Sequence, residues 1–268
     1  MKRYRDKDWL KKKYIVEDLS QSDIADICNV SSRTISKYIV KYNLSHQTKE
    51  KCPNCDYESY SLTRHLNQSK PCTPSISDYQ HQVITGLLMS DGNIQKVGDR
   101  NPSFRCTMDR SSHDYLVYLD EHVFPFLGIG VEKVTRNGHE LSRFYTRSNP
   151  NLCKYYDWYS TGEKVWPCDN IDPTPTVLKH LFVGDGTYNT TGTHQYAVII
   201  ARNEYPRRNK VRDMFSELGF DFTINAYYDE EKYDGQYMSI QFTKQGTKEL
   251  FQYMGEPLPS FEYKWPDN

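Results

Sequence analysis

One short pattern occurs twice in this chain, about a third of its length apart: Ile84-Thr85-Gly86-Leu87-Leu88-Met89-Ser90-Asp91-Gly92 and Leu178-Lys179-His180-Leu181-Phe182-Val183-Gly184-Asp185-Gly186. Each copy is an apolar helical run that ends in a lone carboxylate followed by glycine. Helical spacing puts Ile84, Leu87 and Leu88 on one core-facing stripe, and Leu178, Leu181 and Phe182 on the matching stripe of the second copy. Gly86 and Ser90, four apart, leave one flank of the first helix small enough for another backbone to come close. Gly184 does the same in the second, with His180 at the partner position. Glycine after each acid suits a left-handed residue that stops a helix and turns the chain into a strand. A carboxylate at that end faces the negative pole of the helix dipole, a repulsion that a bound divalent cation relieves.

The doubled pattern resembles the paired signature of the LAGLIDADG homing endonucleases. The resemblance implies an α+β fold of two pseudo-symmetric αββαββα halves, each with a saddle-shaped antiparallel sheet, whose signature helices pack side by side. It implies that Asp91 and Asp185 are the catalytic acids and hold Mg²⁺ through hard oxygen ligands, for metal-assisted hydrolysis of DNA phosphodiesters. The partner is then double-stranded DNA with a long asymmetric target site, cut by a monomer.

The repeat extends past the motifs. Gly162-Glu163-Lys164-Val165-Trp166-Pro167 precedes the second motif, and Phe261-Glu262-Tyr263-Lys264-Trp265-Pro266 closes the chain. Lys164 follows Asp91 by 73 residues (164 minus 91) and Lys264 follows Asp185 by 79 (264 minus 185), which implies duplicated halves. The intervening order also repeats. A strand near Phe104–Thr107, a helix near His113–Phe126 and strands near Val131–Thr135 and Leu141–Thr146 are matched by a strand near Gln195–Ala201, a helix near Arg207–Leu218 and strands near Phe222–Tyr228 and Tyr237–Thr243. In the family resembled, a lysine near the end of each unit assists at the metal centre, which points to Lys164 and Lys264. Polar residues ending the second strand order water there, and Asp109 and Asn203 occupy roughly those places.

Charge is unevenly spread. Residues 1–75 carry 14 Lys/Arg against 9 Asp/Glu, leaving 20 against 26 in the remainder. A negative balance opposes phosphate binding, so the acids, among them Asp229, Glu230 and Glu231, must lie away from any DNA face. Arg105, Arg110, Arg136, Arg143, Arg147, Arg202 and Lys244 are the expected DNA contacts of the duplicated region.

The first segment resembles a helix-turn-helix. A helix beginning at Trp9–Tyr14 is followed by Ser20–Cys28 with Ser20 as N-cap, a tight turn at Asn29-Val30, and a recognition helix from about Ser31. Ile24, Ile27, Val30, Ile35 and Ile39 supply its core, and Ser32, Arg33, Ser36 and Lys37 face the major groove. Next, Cys52-Pro53-Asn54-Cys55 is followed by His65, in a short helical stretch Leu62–Gln68, and by Cys72: a finger-like ligand set for structural Zn²⁺. So small a segment draws most of its folding energy from the metal. Cys28, Cys106, Cys153 and Cys168 are scattered, and no disulfide framework is indicated.

Pro71–Ser77 reads as a linker and Asn170–Pro175 as the joint between halves. The domains are therefore a helix-turn-helix at 1–48, a zinc finger and linker at 49–77, and two halves at 78–169 and 170–268. No apolar run approaches a membrane span and the basic start lacks a signal-peptide core, which places the protein in the cytoplasm of a prokaryotic or virus-infected cell. The same scaffold also serves as an intron RNA maturase, or as a transcription regulator once its acids are lost. Self-splicing as an intein is disfavoured, for the chain starts with no Cys or Ser and ends in Pro-Asp-Asn.

Overall fold

The computed structural model describes residues 3–17, 19–44, 50–52, 55–59, 65, 72–156, 158, 164–191, 194–229 and 235–266. These form two compact units divided between Thr73 and Pro74.

In the first unit, α1 (Lys7–Lys11) starts under Asp6, whose carboxylate accepts from the backbone N–H of Asp8 and Trp9. Helix α2 (Gln21–Cys28) opens with a reciprocal cap between Ser20 and Asp23 and stops at Asn29, in the left-handed region at φ 51°. Helix α3 (Ser32–Tyr42) follows at once, capped by Ser31. Leu10, Ile24, Ala25, Ile35 and Ile39 are buried between these helices. Ile27 is not: it is 52% exposed. At about 100° per residue it sits roughly a sixth of a turn beyond the edge of the stripe formed by Ile24, Ala25 and Cys28. A two-residue ladder then pairs β1 (Glu50–Lys51) with β2 (Glu58–Ser59). Of the expected helical stretch Leu62–Gln68, only His65 lies within the described residues.

The second unit is two copies of one topology. The first copy runs α4 (Asp78–Leu88), β3 (Gly92–Gln95), β4 (Ser103–Asp109), α5 (His113–Tyr118), β5 (Gly128–Arg136), β6 (His139–Thr146) and α6 (Cys153–Tyr156). The second runs α7 (Pro175–Asp185), β7 (Gly186–Thr191), β8 (His194–Ile200), α8 (Arg208–Glu217), β9 (Phe222–Asp229), β10 (Gly235–Phe242) and α9 (Lys244–Met254). Both sheets are antiparallel, in the orders β3-β4-β6-β5 and β7-β8-β10-β9. Ser77 caps α4 and neighbouring Ile76 joins this core, so the segment after Pro71 is structured by its end.

Alternation sets which sheet face is buried. In β4, Phe104, Cys106 and Met108 point to the helices, while Ser103, Arg105 and Thr107 point away. In β8, Ala197 and Ile199 point in and Val198 and Ile200 out. One continuous core results, shared by both sheets and by the central helices α4 and α7, which pack against each other. All six apolar residues assigned to the signature stripes are buried.

Gly92 and Gly186 depart from the expected left-handed stop. Neither has positive φ; Gly186 is extended at φ −89°, ψ 151°. Both are the first residues of strands, and closeness is what demands glycine. A Cβ on Gly92 would lie 2.8 Å from the Leu87 carbonyl and 2.9 Å from the Phe104 ring, and one on Gly186 would collide with the Phe182 ring.

Candidate active site

The first signature helix ends at Leu88, and Met89, Ser90 and Asp91 form the turn into β3. The second runs through Asp185 directly into β7. The acids meet where the helices abut: a Cβ on Gly184 would strike the Ser90 side chain and lie 3.1 Å from Asp91 Oδ2. Higher in the pair, a Cβ on Gly86 would collide with the Val177 carbonyl and come within 2.9 Å of His180 Cβ. His180 is accommodated because its imidazole is wholly buried against Tyr115, Nδ1 to hydroxyl 2.6 Å. Burial pushes its pKa down to about 3, so it stays neutral.

Asp91 is exposed and Asp185 half-buried, yet both stand among packed groups at the ends of the two helices. Loss of water raises both carboxyls. Repulsion from Asp91 raises Asp185 further, to about 6, against the pull of Lys164 and Lys264. Each lysine closes its own half. Lys164 Nζ donates to the carbonyls of Ser90 and Gly92, the latter at 2.9 Å. Lys264 Nζ donates to those of Val183 at 2.7 Å and Gly184 at 3.5 Å. A cation there satisfies carbonyls that the helix end leaves open and complements its dipole. Burial lowers both ammonium pKa values, and the two aspartates oppose the fall. Two acids and two lysines thus come together from four separate stretches of chain.

Asp109 and Asn203 are not equivalent. Gly92 pairs with Cys106 and Gly186 with Ile199, which makes Cys106 the counterpart of Ile199 and Asp109 that of Arg202. Asp109 Oδ1 caps its own turn, accepting from the Ser111 N–H at 2.9 Å and hydroxyl at 2.8 Å; these bonds lower its pKa. Asn203 borders a recess of about 180 Å³ with Asp185, Lys164, Ser90 and Ile200.

Two contacts in this recess have different visibility in sequence. Trp166 donates its indole N–H to the Met89 carbonyl at 2.7 Å and its backbone N–H to Glu204 Oε1 at 2.9 Å. Glu204 is 1% exposed and also pairs with Arg207, so it ties the segment after Lys164 to the second half. The Trp-Pro that follows each lysine is a readable signal for Trp166. Glu204 has none, because its burial depends wholly on tertiary packing.

The basic residues divide into two groups. Arg105 and Arg143 stand on the open face of the first sheet; Arg143 donates to Thr107 Oγ1 and Glu132 Oε1, both at 3.2 Å. Arg136 is exposed at the end of that face, opposite His139. The others are placed elsewhere. Arg110 pairs with Glu140 at 3.3 Å, and Arg147 turns in to the Gly128 carbonyl at 2.9 Å. Arg202 Nε donates to the Gln236 carbonyl at 3.0 Å, and Lys244 begins a helix rather than a strand. In the first unit Ser32, Arg33 and Lys37 are exposed and Ser36 half-buried, all along α3. The Cys52, Cys55, His65 and Cys72 ligand atoms all lie within 4.8 Å of one another, and the Tyr57 ring stacks on His65 at 4.2 Å.

Among solved structures, the fold is similar to that of the homing endonuclease I-WcaI bound to its DNA recognition sequence: 15% identity and a TM-score of 0.60, over 84% of this chain and 97% of that one. I-DmoI in complex with DNA and Ca matches at 14% identity with a TM-score of 0.41, over 68% of this chain and 93% of that one. The N-terminal LAGLIDADG domain of DUF199/WhiA matches at 13% identity with a TM-score of 0.37, over 73% and 88%. A search of curated proteins gives no match. The family model described as LAGLIDADG DNA endonuclease family matches residues 81–250, most of the second unit. This chain belongs to the LAGLIDADG DNA endonuclease family.

Proposed function

We propose that this chain is a monomeric, site-specific, double-strand DNA endonuclease of the homing type, with Asp91 and Asp185 as its metal-binding acids. The observation that carries the reading is their convergence between two anchored lysines. The donor set fits a divalent cation: two hard carboxylates from the two halves, brought together at the helix ends and both raised chiefly by burial. Bound there, Mg²⁺ would lower the pKa of a ligated water and neutralise charge on the scissile phosphate. Asp91 and Asp185 would hold the cations, one acid from each half. Lys164 and Lys264, fixed by backbone carbonyls, keep positive charge beside the reacting phosphates without leaving their helix ends. Asn203 borders the recess and is the better placed of the two water-ordering candidates, since Asp109 is occupied as a cap.

The helix-turn-helix would add a second DNA contact through Ser32, Arg33, Ser36 and Lys37, and tethering makes that contact effectively intramolecular. The Cys52, Cys55, His65 and Cys72 cluster suits structural Zn²⁺, with three thiolates and one imidazole in tetrahedral reach.

The test is cleavage of a randomised duplex library with Mg²⁺, followed by sequencing of the cut ends. Asp91→Asn and Asp185→Asn should each reduce cutting by at least about a hundredfold while binding, measured by gel shift, persists. Retained cleavage by both single variants would refute the assignment.

A further inference from the structure

The two sheets share one topology but present opposite chemistry on their open faces. Register from the acid-flanking glycines makes Arg105 the counterpart of Val198, and Thr107 that of Ile200. On the neighbouring strands, Arg143 corresponds to Ser239 and Tyr145 to Gln241. Glu132 corresponds to Asn225 on the strand beyond. Both arginines and their carboxylate are thus replaced by the neutral Val198, Ser239 and Asn225, and with Ile200 in place of Thr107 two aliphatic side chains stand at the centre of the sheet.

The second face is a groove of about 630 Å³ whose lining includes no Asp, Glu, Lys, Arg or His. Ile200 is 38% exposed at its floor, and Asn225 Nδ2 donates to Gln241 Oε1 at 3.0 Å beside it. Ile200 lines both this groove and the recess that holds Asp185, so the open face of the second sheet adjoins that acid. On the first face the chemistry is reversed: Arg105 and Arg143 stand where the second face has Val198 and Ser239, and Arg143 is held by Thr107 Oγ1 and Glu132 Oε1.

We propose that the two halves read DNA of different base composition: the second sheet takes an A·T-rich half-site through Val198 and Ile200 against thymine methyl groups, and the first takes guanine through Arg105 and Arg143. This rests on the endonuclease reading above. The major groove offers the required handles. Thymine presents a C5-methyl group to apolar side chains, adenine pairs with amides such as Asn225 and Gln241, and guanine O6 and N7 accept from arginine. An uncharged groove also gains little from counterion release, so its affinity must come from base edges. The negative balance of the duplicated region is then tolerable, because one half of the interface does not rely on basic residues.

Full-length protein is used to select duplexes from a random library by binding in Ca²⁺, with cutting in Mg²⁺ scored separately. The selected site is resynthesised with uracil for thymine in one half-site at a time, which removes only the methyl groups. One half-site should be A·T-rich and lose about fourfold in affinity per contacted thymine. The other should carry guanine and change less than twofold. A V198A/I200A double variant should bind thymine and uracil duplexes alike, whereas R105A should keep the thymine dependence and relax the guanine preference. Two half-sites of equal composition, or a methyl dependence that survives in V198A/I200A, would overturn the proposal. Selective binding without cutting would instead count against the nuclease reading and leave this one standing, and absence of selective binding would sink both.

Discussion

Asp185, the proposed metal-binding acid of the second half, opposes the fold that carries it. Burial first, and Asp91 second, raise its carboxyl from 3.8 to about 6. An acid raised in the folded state stabilises that state while protonated. The contribution is complete below 3.8 and is lost as pH rises through about 6. At pH 7.5 without metal, Asp185→Asn should therefore melt above the wild type by on the order of 1 kcal/mol, or ~2–4 °C. The difference should vanish near pH 4. Mg²⁺ should raise the melting temperature of the wild type and not of the variant, both read by scanning fluorimetry. A wild type as stable as the variant at pH 7.5 would mean that the carboxylate is not strained by its site. His180 is the contrasting case: equally charge-capable in sequence, it is held neutral at about 3 by burial and serves as a hydrogen-bond partner for Tyr115.

At the scale of elements, the contact between α4 and α7 decides whether two acids become one site. Gly184→Ala puts a methyl group into the Ser90 side chain, 3.1 Å from Asp91 Oδ2. We expect it to cost about 1–3 kcal/mol of stability, as overpacking does, and to lower kcat by more than that loss of fold explains, because the acids are pushed apart. Gly86→Ala meets the Val177 carbonyl, a backbone atom that cannot rotate away. It should destabilise more, with no specific effect on cleavage by the fraction still folded. Comparing kcat per folded molecule with the melting temperature for the two variants separates catalytic spacing from packing. An equal effect on both quantities in both variants would remove the special role of Gly184.

At the scale of the molecule, the region of Cys52 and Cys72 has a different source of stability from the helices before it, which bury Leu10, Ile24, Ile35 and Ile39, and from the second unit. Pro74–Asn268 has a continuous apolar core, whereas the buried residues around Cys52 and Cys72 form a cluster of just those two among the described residues. Stripping metal with a chelator, or Cys72→Ser, should expose residues 50–72 to proteolysis while the thermal transition of the second unit is unchanged. Protection that survives metal removal would show that the cluster needs no ion.

Much of this was readable before any coordinates. The doubled run of apolar residues, acid and glycine is local, and periods of 3.6 and 2 residues carry burial into the one-dimensional string. The helices, the order of elements in each half, the Ser20 cap and the paired lysines were therefore recoverable, as was the Cys-x-x-Cys with its later His and Cys. What stayed hidden depends on which atoms face one another across long separations. The need for glycine at positions 92 and 186 comes from the Phe104 and Phe182 rings rather than from φ. Only strand register shows that Asp109 corresponds to Arg202 and not Asn203, and that Arg105 stands on the open face of its sheet where Val198 stands on that of the other. The sequence alone determined which elements exist and that they come in two copies, because propensity and periodicity act between near neighbours. Tertiary structure alone decided that Asp91 and Asp185 come close enough to repel each other, that Glu204 is buried nearby and that the two open faces differ in charge, because desolvation and Coulomb forces act through space and ignore the order of the chain.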